Sequence, residues 1–111
     1  NMSYSFMRSI LFFDLPTITL KDKKEYRCFV KEIKKMGFYM LQESVYSKLV
    51  LNQEQAKLLI SKIKKNTPKK GIIQVLTITE KQYSKIEYII GNTNSKIIDN
   101  EDRLIILWEL K

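Results

Sequence analysis

Histidine is absent from this 111-residue chain, cysteine occurs once, proline twice and glycine three times. Without imidazole, Ser-His-Asp and Cys-His nucleophilic catalysis and most zinc sites are excluded. The lone cysteine, Cys28, has no intrachain partner for a disulfide or thiolate cluster. Its place inside a helical apolar pattern predicts a small buried residue rather than a reactive thiol. So few glycines exclude a phosphate-cradling loop of the P-loop or Rossmann kind. No apolar run approaches the roughly 20 residues that cross a bilayer, and the N-terminus shows no apolar block with a small-residue cleavage site. The expectations are no membrane partner and a cytoplasmic location. The chemistry still open must use carboxylates, lysine or arginine, hydroxyls, or a hard cation held by oxygen.

Positive charge is abundant and uneven. The formal net charge is +8 and the isoelectric point is near 9.6. Residues 1–71 hold fifteen Lys/Arg against six Asp/Glu, a balance of +9, whereas residues 72–111 hold five against six, a balance of −1. Such asymmetry predicts a basic face for a polyanion and a separate, more neutral surface.

The apolar pattern alternates strand and helix with no linker, repeat or low-complexity tract. Met7–Asp14 reads as a buried strand that ends in a carboxylate followed by Pro16. A helix follows, capped by Thr19 or Asp22, with Glu25 three residues after Asp22 as a capping box requires. Tyr26, Phe29, Val30, Ile33 and Met36 form its apolar stripe, and Gly37 ends it. Two β-rich runs, Phe38–Gln42 and Ser44–Leu51, predict strands with a bulge or a kink near Glu43 and Ser44. Asn52 caps a second helix that buries Ala56, Leu59, Ile60 and Ile63, and Pro68 follows its end. Ile72–Thr79 is a further strand. The order βαββαβ is that of an α+β, ferredoxin-like sandwich, which makes residues 1–80 the core and 81–111 a C-terminal extension of a single domain. Within the extension, Tyr83–Ile90 reads as one turn followed by a small strand. Leu104–Trp108 is too apolar to lie free. It is either a fifth strand of its own sheet or an addition to the sheet edge of a second copy, which would also cover an exposed edge.

Three groups of residues carry candidate chemistry. Asp14 would stand at the carboxyl edge of the sheet, where open α/β folds place working groups. It equally fits an Asp that caps the turn into the next helix. One carboxylate is too few for Mg²⁺ or Mn²⁺, which take several oxygen ligands. A two-fold copy would supply a second, and a shared ion there suits phosphodiester hydrolysis. The second group is basic: the helix stripe with Lys24, Arg27 and Lys31, and the lysines Lys62, Lys64, Lys65, Lys69 and Lys70 around Asn66-Thr67-Pro68. Cations spread this way suit a phosphate backbone, with contact independent of sequence. The third group is aromatic: Tyr4, Phe6, Phe12, Phe13, Phe38, Tyr39 and Tyr46. These could stack on bases, but the glycine-flanked aromatic signature of RNA-recognition sheets is missing, so core or dimer packing is the better reading.

Met7-Arg8-Ser9-Ile10-Leu11-Phe12-Phe13-Asp14-Leu15-Pro16-Thr17, with Lys23-Lys24-Glu25-Tyr26-Arg27-Cys28-Phe29, resembles the opening of the CRISPR-associated Cas-two proteins of single-effector systems. Gly37-Phe38-Tyr39-Met40-Leu41-Gln42-Glu43-Ser44-Val45-Tyr46-Ser47-Lys48 is similar too. So are Asn66-Thr67-Pro68-Lys69-Lys70-Gly71 and Leu76-Thr77-Ile78-Thr79-Glu80-Lys81-Gln82-Tyr83. The resemblance implies a ferredoxin-like homodimer whose C-terminal strand crosses to its partner. It further implies a module that bridges dimers of the Cas-one CRISPR integrase along duplex prespacer DNA during spacer acquisition. An alternative activity implied by the family is metal-dependent cleavage of RNA or DNA, with Asp14 matching the metal-binding acid and Mg²⁺ or Mn²⁺ as the ion. Charge placement adds Arg8, Lys24, Arg27, Lys31, Lys62, Lys65, Lys69 and Lys70 as expected contacts to DNA.

Overall fold

The apolar N-terminal run becomes the middle of a sheet. In a computed structural model of the chain, which describes residues 6–91, β1 (Met7–Asp14) pairs antiparallel with β3 (Val45–Val50) on one side and β4 (Ile72–Thr79) on the other. The short β2 (Tyr39–Gln42) borders β3, giving the order β2-β3-β1-β4. Two helices, α1 (Leu20–Lys35) and α2 (Gln53–Lys64), and a short α3 (Glu80–Tyr83) complete the described elements. This is the expected α+β, ferredoxin-like arrangement.

Strand residues alternate between faces, and β1 uses both. Leu11 and Phe13 join Phe29 and Ile33 of α1, Tyr46 and Val50 of β3, and Leu59 and Ile63 of α2 in one buried cluster. Leu11 and Ile33 are fully excluded from solvent. Phe13 meets the rings of Tyr26 and Phe29 edge-on at centroid distances of 5.9 and 5.2 Å, and such pairs contribute about 0.5–1.5 kcal/mol each beyond burial. Ser9 also lies on this side and shares a hydrogen bond of 2.8 Å with Thr77 across the β1–β4 ladder. The other face of the sheet carries Arg8, Ile10 and Phe12.

Capping fixes where the helices begin. The Thr19 hydroxyl accepts from the Asp22 N–H at 3.0 Å, and the Asp22 carboxylate accepts from the Thr19 N–H at 3.2 Å. Of the two expected caps the structure uses Thr19, and the capping box is Thr19–Asp22 rather than Asp22–Glu25. Helix α1 closes at Met36, and Gly37 takes φ = 102°, a conformation that favours glycine. The Asn52 side chain accepts from the Gln55 N–H at 2.9 Å and starts α2 as expected.

Two expectations are corrected, for Cys28 and for residues 83–90, and the expected sheet irregularity is located. Cys28 is exposed. At about 100° per residue it falls beside, not within, the stripe of Tyr26, Phe29, Val30 and Ile33. The sheet irregularity falls between Met40 and Gln42, while Glu43 and Ser44 form the turn, with Ser44 at φ = 63°. No strand forms in 83–90. The N–H groups of Ser84, Lys85 and Ile86 donate to the carbonyls of Glu80, Gln82 and Tyr83 at 2.9, 3.0 and 3.2 Å, so a helical turn satisfies this backbone locally. Leu104–Trp108 lies outside the described residues.

The capping box has a pH signature. Hydrogen bonding from the Thr19 N–H, aided by nearby Lys70, holds the Asp22 pKa below its ordinary 3.8. A lowered folded-state pKa stabilises the fold fully above the unfolded value and loses that contribution as pH falls through the folded one. Between neutral pH and strongly acid pH, the Asp22→Asn variant is expected to lose less thermal stability than the parent. Equal losses in acid melts of the two proteins would contradict this.

Candidate nucleic-acid interface and the Asp14 edge

Asp14 is exposed and ends β1. Two local constraints set its position. The N–H of the preceding Phe13 donates to the Ser44 carbonyl at 3.1 Å, tying the strand end to the β2–β3 turn. On the other side, Gly71 at φ = 100° packs so closely that a Cβ there would sit 2.6 Å from the Asp14 carbonyl oxygen and 2.8 Å from Leu15 Cδ2. Asp14 opens into a shallow cavity of about 330 Å³ that it shares with Phe12, Ser44, Ile72 and Gln74. The neutral oxygens of Ser44 and Gln74 are its polar companions there. Among the described residues, no three His, Cys, Asp or Glu side chains group so as to hold a metal. The described residues of one chain therefore do not fit Mg²⁺ or Mn²⁺.

The basic residues sort into separate surfaces. Lys24, Arg27, Lys31, Lys69 and Lys70 are all exposed. Lys31 of α1 and Lys69 of the following loop line one cleft of about 490 Å³, together with Lys35, Pro68 and the Cys28 flank. Arg27 and Lys31 share a second, shallower depression with Tyr26 and Lys34. Lys70 lies near enough to Asp22 to lower its pKa. The structure thus brings the cations of α1 and of residues 66–70 side by side, with Glu25 and Glu32 among them. Lys62 and Lys65 are exposed elsewhere, in a groove between α2 and the end of β3.

Arg8 is placed differently from a solvent-facing phosphate contact. It is buried on the sheet face away from α1 and α2. Its Nε and Nη2 donate to both Glu80 carboxylate oxygens at 2.9 and 2.6 Å, the paired fork geometry that suits arginine and carboxylate. Nη1 donates to the Tyr39 hydroxyl and, at 3.4 Å, to Ser47 Oγ. The guanidinium also lies 4.1 Å from the Tyr83 ring centroid. Burial works against the Arg8 charge, but hydrogen bonding to Glu80 and the nearby acidic groups raise its pKa. Burial also pushes the Tyr83 hydroxyl up to about 12. The sequence did not single out Glu80 or Tyr83 as partners of Arg8. The legible signal was the Thr79–Gln82 capping box, which starts a helix at the residue next to the β1 edge. Of the aromatic candidates, Phe13, Phe38 and Tyr46 are core residues, Phe12 is partly exposed, Tyr39 belongs to the Arg8 cluster, and Tyr4 lies outside the described residues.

Strand order β2-β3-β1-β4 with two helices on one face defines a ferredoxin-like α+β protein. The family model of CRISPR associated protein Cas2 matches residues 7–86. A curated relative from Treponema denticola, named CRISPR-associated endoribonuclease Cas2, is 48% identical over 91% of this chain and 100% of its own length. A relative of the same name from Streptococcus mutans is 46% identical over 93% of this chain and 94% of its own. The crystal structure of a Cas2 protein aligns with a TM-score of 0.57 at 18% identity, covering 82% of this chain and 93% of that one, and so supports the fold. The chain belongs to the CRISPR-associated Cas2 family. Among the described residues no helix is long and apolar enough to cross a membrane.

Substitutions at the Arg8–Glu80 pair and at Gly71 test this geometry. Arg8→Met leaves Glu80 half-buried without its partner and is expected to cost about 2–3 kcal/mol in denaturant unfolding, below the range for a fully buried pair. Arg8→Met with Glu80→Gln should cost less than the sum of the single changes by about 1 kcal/mol or more, and additive costs would show that the pair is not coupled. Gly71→Ala must displace the Asp14 backbone. Amide chemical shifts of residues 13–15 should move and stability should fall by about 1–3 kcal/mol, whereas a silent substitution would contradict the packing described.

Proposed function

We propose that the chain is a non-catalytic, two-copy DNA-binding module of CRISPR spacer acquisition. In this reading a homodimer holds the backbone of duplex prespacer DNA without reading its sequence and bridges dimers of the Cas-one integrase. One observation carries it: the joined cationic surface of Lys24, Arg27, Lys31, Lys69 and Lys70 on α1 and the loop after α2. These side chains are exposed, and among the described residues none of them forms an ion pair. Cations so placed neutralise phosphates and release counterions, whatever the base sequence. Pairing is supported by the sheet face away from α1 and α2, where Phe12, Leu49, Ile72 and Leu76 are 36–57% exposed. Apolar side chains gathered on one sheet face favour burial against a second copy.

A second reading is metal-dependent nuclease activity, with Asp14 as the ligand. The relatives' shared name, endoribonuclease, favours it, and so does the exposure of Asp14 at a sheet edge. Asp14 alone does not fit a divalent ion, and a second Asp14 from a two-fold copy would supply a further carboxylate.

Binding of a fluorescent duplex measured against salt concentration tests the first reading. Affinity should fall steeply with salt, and Lys69→Ala with Lys70→Ala should flatten the logarithmic slope by about one unit per lost phosphate contact. An unchanged slope overturns the assignment. Asp14→Ala should keep both duplex binding and integration in a reaction reconstituted with the integrase. Loss of integration, with Mn²⁺-dependent cleavage present in the parent and absent from the mutant, favours the nuclease instead.

A further inference from the structure

The groove between α2 and the end of β3 differs in character from the cationic surface assigned to DNA. It encloses about 510 Å³. Pairing between β2 and β3 stops at Tyr39 and Ser47, so Lys48–Val50 have β1 as their neighbouring strand on one side only. Past this point the chain leaves Leu51 and, on α2, Leu58 exposed at 55% and 60%. Both line the groove, with Met36. Around this apolar floor stand Lys48, Lys62 and Lys65, and no carboxylate lines the groove. Among the described residues these three lysines form no ion pair. The α1 cleft is unlike it, since Glu25 and Glu32 stand among its lysines.

A phosphate backbone matches the lysines but offers nothing to the leucines, because contacts to DNA are dominated by polar phosphate and sugar groups. Protein interfaces, by contrast, combine an apolar centre with a charged rim, and complementary charge at the rim sets orientation and association rate. A strand end without an outer neighbour also accepts an extended segment. We infer that this groove docks an acidic peptide segment of another protein, with its apolar side chains on Met36, Leu51 and Leu58 and its carboxylates on Lys48, Lys62 and Lys65. The inference does not rest on DNA binding by the α1 surface and assigns Lys62 and Lys65 a different role.

The test uses a fluorescein-labelled peptide of alternating glutamate and leucine, titrated with the intact protein and followed by anisotropy. Saturable binding is expected. Leu58→Glu, at an exposed position and so compatible with folding, should weaken it at least tenfold, and Lys62→Glu should do likewise. Lys21→Glu, the same charge change on α1 outside the groove, should leave binding within twofold. Thermal melts of each variant confirm the fold. No saturable binding, or equal binding by Leu58→Glu and the parent, overturns the inference. Two further outcomes also overturn it. One is weaker duplex binding by Leu58→Glu together with displacement of the peptide by duplex, which assigns the groove to nucleic acid. The other is displacement by a synthetic peptide of residues 99–109, which assigns it to this chain's own acidic and apolar segment.

Discussion

β1 is hydrogen-bonded on both edges and must serve two faces at once, and the rest of the structure follows from that constraint. Its odd positions, Leu11 and Phe13 above all, are held against α1 and α2. Its even positions run from Arg8 through Ile10 and Phe12 to Asp14. A shift of one residue would exchange the faces, placing an arginine and an aspartate in the core. The Arg8–Glu80 fork and the Ser9–Thr77 bond pin the register at the start of the strand, while the Ser44 carbonyl and the close approach of Gly71 fix its end. The backbone that carries Asp14 is therefore held from both sides, while its carboxylate stands exposed.

The charge distribution is a consequence of the same layering. Because the sheet hides one face of each helix, lysines and arginines of α1 and α2 can lie only outward, and they line more than one cavity. Those of α1 and the 66–70 loop adjoin, whereas Lys62 and Lys65 turn toward an apolar groove beside Lys48. A sequence-independent grip on phosphate needs charge density more than geometry, which suits the first surface. The second combines charge with exposed leucine and suits a protein.

Much of the fold was legible because the apolar runs of β1 and β4 and the period-3.6 stripe of α1 stand out in the chain. The eight residues of β1 and of β4, the α1 stripe and the Asn52 cap are visible as spacing alone. What escaped depends on tertiary placement. Arg8 reads as a surface cation in one dimension, and only the arrival of Glu80 from a residue 72 positions away makes it a buried clasp. Cys28 sits one step off the apolar stripe, too small a displacement for composition to reveal. Residues 83–90 carry β-forming side chains, but the helical turn after Thr79 satisfies their first amides before a ladder can form. At the candidate site, Asp14 was visible from the abrupt end of its apolar run. The division of the lysines between two cavities was not, since it depends on the course of residues 66–68 after the end of α2.

Backbone hydrogen exchange of the intact protein, with and without a short duplex, tests the central claim most directly. Exchange should slow on α1 and residues 66–71 when duplex is added, with the Phe12 and Leu76 side of the sheet already protected in the free protein. Protection confined to the sheet face and the Asp14 turn, with α1 and the loop unchanged, would contradict it.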